Sequence, residues 1–205
     1  MERIFLLVSA ILLISANCNK GSTPCVFGGY SFAVESKWSP ELIKYNIGDT
    51  IFLTSSFPKI LQDLINTTIS IDYSNSKAIG GGIGMGKIDT IANTTVQARD
   101  KFGFVEFIGT VRERAVAPDQ GLAITYLETP NNYSFKCGII LQEKGLYMLS
   151  VSDLMSAGLA GKNCTNAGFR VTLSNQDQHL NIFEEALGMT ADPIAQRTMY
   201  CFEVE

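Results

Sequence analysis

Histidine occurs once in these 205 residues, as His179, and tryptophan once, as Trp38. The five cysteines, Cys18, Cys25, Cys137, Cys164 and Cys201, stand without close pair spacing. That scarcity excludes a zinc site built from Cys and His, which takes its ligands in near pairs. Basic residues are few and scattered: 16 Lys and Arg against 20 Asp and Glu leave a net charge of −4. Without a basic cluster the chain lacks the electrostatic footprint of a nucleic-acid binder. It also lacks a Lys-rich amphipathic stretch for adhesion to a membrane surface. No apolar run reaches the roughly 20 residues of a membrane-spanning helix. The nucleophile elbow G-x-S-x-G is absent, as is the D-x-D-x-D-G spacing of an EF-hand calcium loop. No cofactor is implied.

What the chain does have begins at its first residues. Arg3 precedes an uncharged apolar run of 13 residues, Ile4 to Ala16, and then come Asn17 and Cys18. Positive, apolar and small residues in that order read as an export signal. Two processing sites fit. Cleavage after Ala16 suits ordinary signal peptidase and gives a periplasmic or secreted soluble protein. Alternatively, Leu12-Leu13-Ile14-Ser15-Ala16-Asn17-Cys18-Asn19-Lys20 resembles the start of exported lipoproteins of the Bacteroidota. That resemblance implies a signal peptide over 1–17, a lipid anchor on Cys18 and a tether over 18–26. It also implies a place in the bacterial cell envelope, anchored at the outer membrane. The family pattern has Gly, Ala or Ser before the cysteine, where this chain has Asn17. Lipidation of Cys18 would leave four cysteines, Cys25, Cys137, Cys164 and Cys201, as disulfide candidates in an oxidising compartment.

Residues 27–205 suit one domain, and a chain of this size buries about 70% of its unfolded surface without needing staples. Loss of 1–17 removes Glu2 and Arg3 together, so the charge stays at −4. The dominant period is two, that of half-buried strands. It runs through Tyr30-Phe32-Val34, Ile69-Ile71-Tyr73, Tyr133-Phe135-Cys137-Ile139, Tyr147-Leu149-Val151, Phe169-Val171-Leu173 and Tyr200-Phe202-Val204. Ile51–Leu53, Phe102–Val111 and Leu122–Leu127 are apolar on both faces and read as central or doubly covered strands. About nine strands predict an all-β protein, an antiparallel β-sandwich of immunoglobulin-like or jelly-roll-like form. One or two short helices join it. One would open at Pro58 and share Ile60, Leu61, Leu64 and Ile65. The other would start at an Asn181–Glu184 capping box and run to Gly188. Both are expected as lids over the open end of the sandwich.

Tyr45-Asn46-Ile47-Gly48-Asp49-Thr50-Ile51-Phe52-Leu53 resembles the turn and strand of immunoglobulin-like extracellular modules, and Glu143-Lys144-Gly145 reads as a hairpin turn. The chain as a whole is similar in texture to uncharacterised Bacteroidota envelope proteins of this sandwich kind. The phases also separate two cysteines. Cys137 shares the inward face of Phe135 and Ile139, whereas Cys201 lies opposite Tyr200 and Phe202. Such vectors oppose a Cys137–Cys201 bridge and leave Cys25 and Cys164 as the freer partners.

The candidates for chemistry are thin. Gly81 to Lys87 approaches the phosphate-binding G-x-x-x-x-G-K, but Ile88 stands where Ser or Thr must hold magnesium. Gly80–Gly86 therefore reads as a strand or loop softened by glycine. His179 with Asp177 or Glu184, and Cys164 as a nucleophile, would make a Cys–His hydrolase. Glu184-Glu185 would serve a carboxylate-based glycosidase, although adjacent helical residues diverge. Asp89, Asp100, Glu113 and Asp119 are the acids a calcium-binding loop would draw on. Trp38 either stacks on a ligand or caps one end of the core. The tripeptides at Asn66, Asn93, Asn132 and Asn163 are sequons only on a eukaryotic route, and Asp49-Thr50-Ile51 and Asp89-Thr90-Ile91 resemble a threonine glycosylation motif of the Bacteroidota. The resulting expectation is an exported cell-envelope lipoprotein that is not an enzyme. It would act as a binding or structural module for a protein or glycan ligand, held to the membrane by its lipid. An exported hydrolase is the alternative.

Overall fold

The computed structural model describes residues 29–205. The expected signal peptide and tether, with Cys18 and Cys25, lie outside the described residues. Among those described, the chain forms sixteen strands and two helices. The strands are β1 (Tyr30–Ser39), β2 (Lys44–Tyr45), β3 (Thr50–Pro58), β4 (Ile60–Gln62), β5 (Ser70–Asp72), β6 (Ile79–Asp89), β7 (Thr94–Gln97) and β8 (Phe102–Ile108). There follow β9 (Thr110–Glu113), β10 (Gly121–Thr125), β11 (Leu127–Glu128), β12 (Asn132–Leu141), β13 (Gly145–Val151), β14 (Leu154–Ser156) and β15 (Ala167–Leu173). Helices α1 (Leu180–Leu187) and α2 (Pro193–Thr198) precede β16 (Met199–Val204).

The architecture is a β-sandwich. In one layer β6 is the hub, bonded to β13 and β14 along one edge and to β10 and β7 along the other, with β16, β2 and β15 continuing it. In the other layer β12 lies between β3 on one side and β8 and β11 on the other. Strand β1 belongs to both: Tyr30–Ser36 pairs with β15, and Lys37–Ser39 then pairs with β3. Two pairs, β1–β15 and β16–β2, are parallel, so the sheets are mixed rather than purely antiparallel. The expected nine strands become sixteen: two of the expected runs are each split in two, and β2, β4, β6, β7 and β14 form outside them.

Alternation places the core where the period of two puts it. Phe32, Val34, Ile51, Leu53, Phe135, Cys137, Leu149, Phe169, Val171 and Phe202 are all buried in one cluster. Rings join the layers: Phe57 meets Phe169 with centroids 5.6 Å apart, and Phe102 meets Tyr147 at 5.0 Å. Such pairs add about 0.5–1.5 kcal/mol each beyond the area they bury. Trp38 is fully buried in this cluster, so it is a core residue and not a ligand platform.

Several local expectations are overturned. The run Phe102–Val111 is not doubly covered. Gly109 takes φ of +80°, and a Cβ there would meet the carbonyl of Thr125 and the ring of Phe135. The chain turns at that glycine, leaving β8 on β12 and sending β9 to β10 in the other layer. No helix opens at Pro58; Ile60–Gln62 pairs with β5 instead, in a small hairpin. At α1 the cap is His179 in the left-handed region, without a side-chain cap bond, and not Asn181. Glu184 Oε1 instead accepts from Ala191 N at 3.0 Å. Glu143-Lys144-Gly145 is no hairpin turn, because β12 and β13 lie in different layers. The helices do not close the sandwich end. They cover the outer face of the β16 side, where Leu180, Ile182, Phe183 and Ala195 pack on Met199 and Cys201.

Candidate binding faces

The outward residues of β3, β12 and β8 build a partly exposed strip that no helix among the described residues covers. Phe52 and Phe107 lie with centroids 5.8 Å apart and planes at 59°. Lys136 Nζ stands 5.3 Å from the first ring and 5.4 Å from the second. A cation held over aromatic faces gains about 0.5–1 kcal/mol per contact at exposed sites. Among the described residues Lys136 has no carboxylate partner. Gly138 explains the closeness: a Cβ there would press on Thr50, Val105 and Phe52, at 2.7, 2.9 and 3.4 Å. Its bare Cα lets Val105 and Phe52 lie across β12. Phe107 is 54% exposed, with Val105, Ile108 and Leu127 also open to solvent.

Beside this strip runs a groove of about 360 Å³ floored by β3 and β12. Thr54, Ser56 and Ser134 present hydroxyls to it, with Ser56 Oγ and Ser134 Oγ 3.1 Å apart. Lys37 on its rim is committed to Glu41 at 2.6 Å, whose carboxyl lies below its ordinary range through that bond.

The opposite layer carries a trough of about 410 Å³ on its outer face. Its floor is the alternate glycines of β6 and the outward Met148 and Ser150 of β13. A Cβ on Gly82 would collide with the guanidinium of Arg114, one on Gly84 with the Ser150 hydroxyl, and one on Gly86 with Met148. The glycine run is thus a regular strand whose missing side chains make room for its neighbours'. Helix α2 supplies one wall. Asp192 caps it, accepting from Ile194 N and Ala195 N at 2.9 and 2.8 Å. Arg197 forks onto Asp153, at 2.7 Å to Oδ1 and 3.2 Å to Oδ2. Burial alone would raise the Asp153 carboxyl, but Arg197 and the Val171 N–H hold it below the usual range.

The candidates for catalysis and metal binding have other occupations. His179 is buried against Tyr200, with ring centroids 5.5 Å apart, and its Nδ1 lies 3.1 Å from Asp177. Cys164 sits at φ of +58° in the loop between β14 and β15. Cys137 and Cys201, both among the disulfide candidates, are free buried thiols here, each raised to about 12 by burial. Asp89 caps a turn through Ile91 N and Ala92 N, Asp100 pairs with Lys101, and Glu113 with Arg99. No group of three or more His, Cys, Asp or Glu able to hold a metal gathers among the described residues. Asn66 closes a turn onto Thr68, and Asn93 takes φ of +51°.

Neither the strip nor Arg114 is marked by a motif or period in the sequence. An available signal was Gly138 at an outward position opposite two apolar runs. No helix among the described residues is long and apolar enough to cross a membrane.

No protein-family model matches the chain, and no curated protein sequence matches it. Among solved structures it is similar to the human F-spondin reeler domain at 11% identity, covering 71% of this chain and 86% of that one, with a TM-score of 0.33. It is also similar to a type II cohesin domain from the cellulosome of Acetivibrio cellulolyticus at 8% identity, covering 69% and 91%, with a TM-score of 0.36.

Proposed function

We propose that the protein is an exported, non-enzymatic binding module of the cell envelope, anchored through Cys18, whose ligand docks on the strip around Lys136. The observation that carries this is an ammonium without a carboxylate partner among the described residues, set between the exposed ring of Phe107 and the partly exposed ring of Phe52. A protein partner presenting apolar side chains and a carboxylate fits it best. Val105, Ile108 and Leu127 widen the apolar area, and exposed patches of this kind mark interaction surfaces. A glycan is the second reading, favoured by the hydroxyl row of Thr54, Ser56 and Ser134 beside the strip. The rival, an exported hydrolase, is disfavoured by the structural roles of His179 and Glu184. Cys164 belongs to this reading as a bridging cysteine rather than a nucleophile, and we take Cys25 as its partner.

Selection of phage-displayed random peptides on the wild-type protein and on a Phe107→Ser, Lys136→Glu variant tests the reading. Peptides pairing an acid with aromatic or aliphatic residues should bind the wild type at least about tenfold more tightly, a difference of about 1.4 kcal/mol. Equal enrichment on both proteins would remove the strip as the docking site. Neutral oligosaccharides that bind the wild type and are lost on Ser56→Leu would replace the protein partner with a glycan.

A further inference from the structure

The trough under α2 lies on the other layer from the strip, and its chemistry is independent of what the strip binds. Three charged side chains line it: Arg114, Arg197 and Asp153. Asp153 is fully engaged, taking both guanidinium nitrogens of Arg197 and the amide of Val171 at 2.9 Å. Arg114 differs. It is partly buried, brings its guanidinium against Gly82, and makes no ion pair or hydrogen bond among the described residues. The trough therefore carries one unsatisfied positive charge on a chain of net charge −4. Its guanidinium, still partly open to water, has five donors and no acceptor among the described residues, so a ligand in the trough can supply one.

We propose that this trough binds the carboxylate of a hexuronate-sized acidic sugar, with Arg114 as its anchor. The planar fork of a guanidinium matches a carboxylate through two parallel hydrogen bonds. One excess charge suits a singly charged anion and not a dianion such as a phosphate monoester. Ser150, Gln97 and Gln120 supply neutral donors and acceptors for sugar hydroxyls, while Met148 and Ile194 offer apolar surface to its C–H face. The volume, about 410 Å³, falls in the range of small-ligand sites.

Calorimetric titration of the full chain in mild detergent with D-glucuronate, D-glucose and inorganic phosphate tests this. Glucuronate should bind at a single site with Kd on the order of millimolar or tighter, weakening as salt rises. Glucose and phosphate should each bind at least about tenfold more weakly. Arg114→Gln should lose glucuronate by at least about tenfold at an unchanged melting temperature, with Arg114→Lys between. Gly82→Ala keeps the guanidinium but evicts it from the floor, and should behave as Arg114→Gln. Absence of glucuronate binding, phosphate binding as tight as glucuronate, or undiminished affinity in Arg114→Gln would each overturn the proposal.

Discussion

The two outer faces of this sandwich solve the same problem in opposite ways. On the β6–β13–β16 layer, α1 and α2 cover Met199 and Cys201, and glycines open a polar trough beside them. On the β3–β12–β8 layer no helix among the described residues covers Phe52, Phe107 and Val105, and one glycine draws them together. A glycine stripe beside long polar side chains makes a receptacle; a lone glycine beneath aromatics makes a platform. Burial also divides the energetics. Apolar side chains under the helices contribute to folding, whereas Phe107, Val105 and Ile108 on the strip stay exposed in the fold and available to a ligand.

The largest expected effect separates the faces by stability. Met199→Ala should cost about 2–5 kcal/mol, as truncation of a buried methionine does. Phe107→Ala should stay within about 1 kcal/mol, because more than half of that side chain is already wet. Urea unfolding of both variants measures this; equal losses would mean that the strip is structural. Next in size is the contrast between the thiols. Cys201 lies beneath the helices and Cys137 inside the main core, so local opening of α1 and α2 should expose Cys201 to a thiol reagent first. Both thiols are raised to about 12 from near 9. Their contribution is therefore complete below about pH 9 and is lost as pH rises toward 12. Stability falling across that window in the wild type, and less steeply in Cys137→Ala, is the expected result. Labelling of both cysteines at one rate would refute independent opening of the helices.

The smallest effect concerns the trough wall. The depressed Asp153 carboxyl contributes above its unfolded value near 4 and loses that contribution as pH falls through its lower folded value. Asp153 is half exposed, so the loss is at most about 1 kcal/mol. Asp153→Asn should flatten the acid limb of the melting-temperature profile by that amount. An unchanged limb would mean that Arg197 holds α2 without its carboxylate.

Much of the fold was legible in the order of residues. The alternation through Phe32, Phe135, Leu149, Phe169 and Phe202 placed each of these in the core, because a strand's side chains change face at every residue. The opposed phases of Cys137 and Cys201 were legible for the same reason. The strand limits at Gly109, the helix expected after Pro58 and the cap of α1 were not. Ile60, Leu61 and Leu64 satisfy helical spacing, yet Leu64 N is taken by the Ser31 carbonyl at 2.7 Å. Asn181 and Glu184 have capping-box spacing, yet Glu184 found a closer donor in Ala191. A partner outside the local segment, far along the chain for Leu64 and seven residues on for Glu184, outweighed a local preference worth about a kilocalorie.

The chain by itself determined an all-β domain, an inward set of aromatics, and a glycine run that lacks the Ser or Thr of a phosphate-binding loop. Local periodicity and turn chemistry act within a few residues, and they suffice for that. Only the tertiary structure decided that Phe52, Phe107 and Lys136, separated by 55 and 29 positions, meet on one face. Only it decided that Arg114 lies on Gly82 while Arg197 is neutralised by Asp153. Which face of a sheet is left bare depends on where α1 and α2 land, and that is settled by long-range packing rather than by the residues on the face.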